Sequence, residues 1–427
     1  MLHGSYSFAL AFEADFVRKL LAQLGLDGRS IVLDPFCGTG TTLLECKLNG
    51  YRSIGVDANP VCVTISAAKT RWSLDINGVR AAIRRISKLA AQRYASYLKR
   101  AEQANKKGRR YSVQEDPLFL ESELGRYLIE SGLLSRHWIS PRPALKALLL
   151  AEQIRAFPPP LRNFLFLSFL GLLVPDFSNM AYGPEIYRKR RRRDCDVFGL
   201  FEERAISNLQ KIALLKCSSR RPVAKIRLGD STSGGLSFIG AGTVDAIISS
   251  PPYLSDHDYS RLMRLELVFT GTVSSREDLR RVKRRLLRSS SKNVYKGDCY
   301  SREVIRFKAV RRVVAAIRNR AEQRSSGFAR VYPRLIGEYF GGMYRHFQAV
   351  GRVLRPGGYA AYVVGDQSSF FATPIPTARI LSHLAVSCGA QLQLVSMKPF
   401  RKLRGTRGKV SWSNSEWLLL LRKTGAR

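Results

Sequence analysis

Apolar positions along the chain follow two periods. Short apolar runs, each closed by a carboxylate or by a Gly- or Pro-containing turn, occur at Ser30–Leu33, Ser53–Val56, Lys225–Leu228 and Val244–Ile248. They recur at Tyr359–Val364, Gln391–Met397 and Glu416–Leu421. Between the runs the spacing changes to three and four residues. Val79, Ile83, Ile86, Ala90, Tyr94 and Tyr97 predict a long helix from Leu74 to about Lys107. Shorter helices are expected at Thr42–Leu48, Leu145–Ile154, Phe164–Leu173 and Ile336–Val353. The succession strand, Gly-rich turn, helix, strand over residues 30–57 is the signature of a parallel βαβ unit. The pattern therefore predicts an α/β chain with about seven strands and two helical insertions. The expected catalytic domain is discontinuous (1–75, 216–255 and 334–427), with insertions at 76–215 and 256–333.

Composition adds a partner. The chain has 427 residues, with 71 Lys+Arg against 33 Asp+Glu, a formal charge of +38. Self-repulsion on that scale destabilises a compact state, so it points to a polyanionic partner, nucleic acid first. The excess is uneven: Arg276 to Arg330 holds 18 Lys+Arg against 5 Asp+Glu, and Tyr187–Asp194 reads YRKRRRRD. Such runs neutralise phosphates and predict salt-sensitive affinity rather than sequence reading. A third basic segment, Lys398 to Lys409, is expected to be a loop between strands. Seven cysteines without CxxC spacing and five dispersed histidines argue against a disulfide framework and against a metal site. The most apolar run, Phe164 to Val174, is too short to span a bilayer. The N-terminal stretch lacks the features of a secretory signal. A cytoplasmic, nucleoid-associated protein without membrane contact is expected.

Two motifs carry chemistry. In Asp34-Pro35-Phe36-Cys37-Gly38-Thr39-Gly40-Thr41-Thr42 a strand feeds a Gly-rich turn and then a helix N-terminus. That arrangement lets backbone approach a ligand and aims free N–H groups at it. About 20 residues on, Asp57 closes the next strand, where a carboxylate can accept ribose hydroxyls. GxGxxG is not met, which argues against a dinucleotide. The second motif is Ser249-Ser250-Pro251-Pro252-Tyr253, after an apolar strand. An aromatic amine is a poor nucleophile because its lone pair is delocalised into the ring. The Ser250 hydroxyl and Pro251 carbonyl can accept the amine's hydrogens and favour a localised lone pair. Pro-Pro stiffens the loop that holds these acceptors. Tyr253 can stack on an extruded base. Asp366, closing the Tyr359–Val364 strand, either lines the site or caps a helix.

Asp34–Thr42, followed by Gly55-Val56-Asp57, closely resembles the S-adenosylmethionine-binding motif of amino-methylating DNA methyltransferases. Ser249–Tyr253, with Asp258-Tyr259-Ser260-Arg261 and Leu265-Glu266-Leu267, resembles the catalytic motif of one branch of them. The resemblance covers the α/β parts and implies a Rossmann-like, doubly wound sheet. It also implies that S-adenosylmethionine is held by the 34–42 loop, Asp57 and Ala58. Asp230 and Ser231 would sit near the adenine, and Phe12, with Phe8, would form an aromatic wall. Ser250, Pro251, Pro252 and Tyr253 would act on a flipped base. In this family SPPY goes mostly with cytosine N4, so N4 methylation of double-stranded DNA is the expected activity. Adenine N6, an RNA base amine, or a catalytically silent nucleic-acid-binding protein are the alternatives. A cognate restriction endonuclease is a further expected partner. Carbon-5 methylation would need a cysteine after proline, which the sequence lacks.

Overall fold

The computed structural model describes residues 2–6, 13–183, 185–216, 222–324, 327, 329–368, 370–407 and 410–425. Phe8 and Phe12 lie outside the described residues. The chain divides into two compact units.

The unit that carries the motifs comprises Phe12–Asn59, Pro222–Asp258 and Lys283–Arg427. Its seven strands are β1 (Ile31–Asp34), β2 (Arg52–Asp57), β3 (Ala224–Leu228), β4 (Val244–Ser249), β5 (Leu354–Gly365), β6 (Leu392–Arg407) and β7 (Val410–Lys423). They form one sheet in the order β3-β2-β1-β4-β5-β7-β6. The first five pair in parallel, whereas β7 runs antiparallel to both β5 and β6. The order reverses beside β1, the switch point at which α/β sheets place ligands beyond their strand ends. The α/β class and the seven expected strands are observed. The basic segment 398–409, expected as a loop, is instead largely strand: β6 runs to Arg407 and β7 starts at Val410. Antiparallel pairing of two neighbouring strands satisfies their backbone groups whether or not the side chains are apolar, so charge did not end the strands.

Burial follows strand position. Central β4 is buried at all but one residue, as a parallel strand covered on both faces must be. Edge strand β3 is largely exposed and carries Lys225 and Arg227, which discourages pairing with another chain. Adjacent residues of one strand enter different cores. Leu33 and Ile247 pack beneath α2 (Lys308–Glu322), α3 (Tyr332–Val353) and α4 (Thr377–Ser387). Val32 and Ile248 join Val17, Leu20 and Leu21 of the helix Ala14–Gln23 on the opposite face.

The other unit comprises Met1–Ala11, Pro60–Arg221 and Tyr259–Val282. Its longest helix, Ile76–Lys106, starts at Asp75, whose side chain accepts the Asn77 N–H. The apolar stripe from Val79 to Tyr97 is buried as its spacing predicts. Leu161–Leu172 is buried almost all round and forms the centre of this unit. A two-stranded ribbon, Met180–Ala181 with Tyr187–Arg188, has no counterpart among the expected elements. Two residues per strand give no readable period. Among the described residues no helix is long and apolar enough to cross a membrane.

Candidate active site

The turn between β1 and helix α1 (Thr41–Leu48) needs its glycines. Gly38 and Gly40 have φ of +49° and +85°, the left-handed region that a Cβ makes costly. Gly40 sits at the N-cap of α1 without a capping side chain, so no side chain of its own closes that helix N-terminus. The turn is fastened to the end of β2: the Cys37 N–H donates to the Val56 carbonyl at 3.0 Å. The Gly38 N–H donates to Asp57 Oδ2 at 2.8 Å. Gly55 makes this approach feasible, because a Cβ there would lie 2.4 Å from Leu43 Cδ1 and 3.1 Å from Cys37 Sγ. Cys37 and Thr39 are buried, and Thr41 is the first residue of α1. The buried Thr42 hydroxyl donates to the Ile248 carbonyl of β4 at 3.4 Å. Phe36 turns inward, its ring 4.8 Å from that of His346, and belongs to the core as much as to the loop.

Asp57 has the acceptors a ribose would need. Its Oδ2 takes the Gly38 N–H and its Oδ1 the Asn59 N–H, at 2.8 Å each. A carboxylate has about four acceptor sites, so roughly two remain, enough for two hydroxyls. Some surface of the residue stays accessible, yet its carboxyl is densely surrounded and burial pushes it up to about 6. Ala58 follows it, half-buried. Asp230 stands just past β3, where Oδ1 accepts both the N–H and the hydroxyl of Thr232, at 2.8 and 2.7 Å. Burial raises its carboxyl above the usual range. The buried Ser231 hydroxyl oxygen has no hydrogen-bond partner among the described residues. A buried hydroxyl without a partner is costly, and a polar ligand would relieve it. These residues therefore fit the cofactor that the resemblance implies.

The Pro-Pro-Tyr loop leaves β4, the strand beside β1. Ser249 donates its hydroxyl to Asp34 Oδ1 at 2.6 Å, which ties the ends of the two strands together. Burial pushes the Asp34 carboxyl up to about 6, against the hydrogen bonds from Ser249 and Thr42. Beyond Ser250 the loop is braced from distant segments. The Tyr339 hydroxyl of α3 donates to the Pro252 carbonyl at 3.0 Å. The Tyr253 hydroxyl donates to Glu416 Oε1 of β7 at 3.2 Å, and Arg401 of β6 donates to both oxygens of that buried carboxylate at 2.8 and 3.2 Å. Gly365 leaves room for the Tyr253 ring, since a Cβ there would lie 3.1 Å from it. Asp256, with φ of +64°, accepts the Ser291 N–H and hydroxyl at 2.7 and 2.9 Å and the Tyr332 hydroxyl at 3.3 Å. Asp366 takes the Trp417 indole N–H at 2.8 Å and the Ala378 N–H, in the first turn of α4, at 3.1 Å. From the end of β5 it thus holds the first turn of α4, whose N-cap residue is Pro376.

The sheet thus brings Asp230, Asp57, Asp34 and Ser250–Tyr253 to the carboxyl ends of four adjacent parallel strands, β3-β2-β1-β4. Sequence reasoning missed the braces Tyr339, Glu416, Arg401 and Asp256. Only Glu416 carried a signal, a carboxylate on an otherwise apolar strand.

A family model described as DNA methylase, of the N6/N4 type, matches residues 11–68, the β1–α1–β2 region with the cofactor loop. The chain is 22% identical over 292 residues to the Type II methyltransferase M.BsoBI of Geobacillus stearothermophilus, covering 63% of this chain and 53% of that protein. It thus spans about half the length of that relative. Identity to the Type II methyltransferase M.AvaI of Nostoc sp. is also 22%, over 93% of this chain and 80% of the relative. A shorter match, 35% over 68 residues, is to the Type II methyltransferase M.MjaII of Methanocaldococcus jannaschii. A glycine turn fastened to Asp57 and a Pro-Pro-Tyr loop on the neighbouring strand accompany these matches: over residues 11–68 the chain is similar to amino-methylating (N6/N4) DNA methylases, and over longer stretches to Type II methyltransferases.

Proposed function

We propose that this chain methylates the exocyclic amine of a base flipped from double-stranded DNA, with cytosine N4 as the target atom. One observation carries the reading: Asp34 and Ser249 bond across β1 and β4, so the glycine turn and the Pro-Pro-Tyr loop leave adjacent strand ends. S-adenosylmethionine, when bound, supplies a methyl group already activated on a sulfonium. The glycine turn, Asp57, Asp230 and Ser231 hold and orient it. The Ser250 hydroxyl and Pro251 carbonyl accept the hydrogens of the target amine and favour a localised lone pair on nitrogen. Tyr339, by taking the neighbouring Pro252 carbonyl, keeps these acceptors aimed. Tyr253 presents its ring to the flipped base, its hydroxyl fixed by Glu416. Positioning carries the catalysis.

The Ser-Pro-Pro-Tyr form favours cytosine N4 over adenine N6. In this reading residues 256–333 contact DNA, 76–215 contribute to target recognition, and the Type II relatives support a place beside a cognate restriction endonuclease. The test is methyl transfer from labelled S-adenosylmethionine to duplex DNA and, in parallel, to total RNA, with mass spectrometry of the nucleosides. N4-methylcytosine in DNA is the expected product. N6-methyladenine would overturn the choice of base, label only in RNA the choice of partner, and no label the catalytic reading itself.

A further inference from the structure

Away from the strand ends, the motif-bearing unit has a cleft of about 750 Å³ rimmed by Arg302, Arg318, Arg324, Arg330 and Arg334, with Glu322 as the one acid. The arginines come from separate elements: the helix Ser301–Val304, α2, the segment after α2, the short turn Ala329–Val331, and α3. A solvated helix face would put its charges on one element, and convergence from several defines a concave site. Val314 and Pro333 contribute apolar wall, which does nothing to neutralise the rim.

Two of the arginines brace the cleft. Arg334 donates to the carbonyls of Tyr295, Lys296 and Asp298 at 2.7, 2.7 and 3.0 Å, and Arg324 stacks 4.9 Å from the Phe371 ring centre. Among the described residues no side-chain hydrogen bond or ion pair engages Arg302, Arg318 or Arg330. Nearby acids are committed elsewhere, Asp298 to Arg288 and Glu303 to Arg345. Planar guanidinium forks that converge without a partner match phosphate geometry.

The cleft also shares an element with the proposed base site. Pro333, Arg334 and Gly337 of α3 line it, while Tyr332 and Tyr339 of the same helix hold Asp256 and Pro252. The cleft and the loop that carries Ser250–Tyr253 are thus both anchored on α3.

We infer that this cleft is a second, sequence-independent DNA site, in which Arg302, Arg318 and Arg330 neutralise backbone phosphates of the duplex that carries the flipped base. The inference rests on the reading of the chain as a DNA methyltransferase. Each neutralised phosphate contributes about 0.9 to the slope of log affinity against log salt. The test is fluorescence anisotropy of a random-sequence duplex with the full chain, from 50 to 200 mM KCl. For Arg302→Gln/Arg318→Gln the slope should be shallower by about 1.8, which makes the affinity lost across that range about tenfold smaller. Arg302→Lys/Arg318→Lys should restore most of it, which a structural role for the fork would not allow. A wild-type slope in the Gln variant, at unchanged melting temperature, overturns the cleft while leaving methyl transfer to DNA intact. If the Gln variant melts early, single Arg330→Gln decides, with about 0.9 expected and no change overturning. A wild-type chain that binds and methylates no duplex overturns the underlying reading, and the inference with it.

Discussion

The glycine turn Pro35–Gly40 and the Pro-Pro-Tyr loop leave neighbouring parallel strands, but they are held by different means. The first is held by its own βαβ unit: the Gly38 N–H and the Asp57 carboxylate that receives it are 19 residues apart, and Gly55 lets Leu43 and Cys37 close over β2. The second is held from far along the chain. Tyr339 is 87 residues from Pro252, and Glu416 is 163 residues from Tyr253. Some thirty contiguous residues fasten the glycine turn, whereas the Pro-Pro-Tyr loop is braced only once α3 and β7 have packed in place. The bond from Ser249 to Asp34 spans 215 residues and is where the two halves meet. Damage to the first loop should therefore appear in cofactor binding, and damage to the braces in turnover.

Asp57→Ala gives the largest expected effect. It removes acceptors for two hydroxyls and the tie to Gly38, and at about 1.5–3 kcal/mol per charged hydrogen bond cofactor affinity should fall about a hundredfold or more. Titration calorimetry with S-adenosylmethionine measures this, and near-native affinity would remove Asp57 from the site. Next comes Tyr253→Ala. Losing one base–aromatic stack of about 1–3 kcal/mol should lower kcat/KM for DNA by about 5- to 100-fold with cofactor affinity preserved. A parallel loss of cofactor affinity would erase the proposed division between the loops.

The pH dependence sharpens the comparison further. Burial pushes the Asp57 carboxyl up to about 6; if, as proposed, it binds ribose as the carboxylate, cofactor affinity should drop by about tenfold from pH 7 to pH 5. Stability of the cofactor-free fold should move the opposite way. An unfolded Asp ionises near 3.9, below the folded value, so the unfolded chain releases its proton first as pH rises, and the stabilisation present at low pH is lost between about 4 and 6. Asp34, also raised to about 6, adds to that trend. Thermal melts with and without cofactor across pH 4–7 would separate the two, and curves of the same sign would contradict the assignment. The smallest effect is expected for Tyr339→Phe. Removing one neutral hydrogen bond, about 0.5–1.5 kcal/mol, should lower kcat by about 2- to 10-fold and leave calorimetric cofactor binding unchanged.

Much of this was legible in the sequence because it is local. Periodicity placed the seven strands to within a few residues in the core, where burial and period coincide. It erred at the β6–β7 hairpin, whose basic residues carry no apolar alternation although their backbone pairs as strand. The motif glycines were readable because glycine adopts the positive φ of Gly38 and Gly40 without the cost a Cβ carries there. Gly55 announced a close approach without saying to what. Asp366 could not be resolved from sequence, because its partners Trp417 and Ala378 are set by the fold. The braces of the Pro-Pro-Tyr loop were invisible for the same reason: a tyrosine inside an amphipathic helix reads as core whether or not its hydroxyl reaches a carbonyl elsewhere.

The α/β class, the glycine turn, the carboxylates at the strand ends and the Pro-Pro-Tyr loop are written in the order of residues, since each follows from backbone sterics or from periods within a few tens of residues. That Asp34 and Ser249 bond to each other, that Glu416 and Tyr339 hold the Pro-Pro-Tyr loop, and that arginines from several elements share one cleft follow from the folded arrangement alone. Those are pairings between residues far apart in the chain, and strand order and helix packing select them.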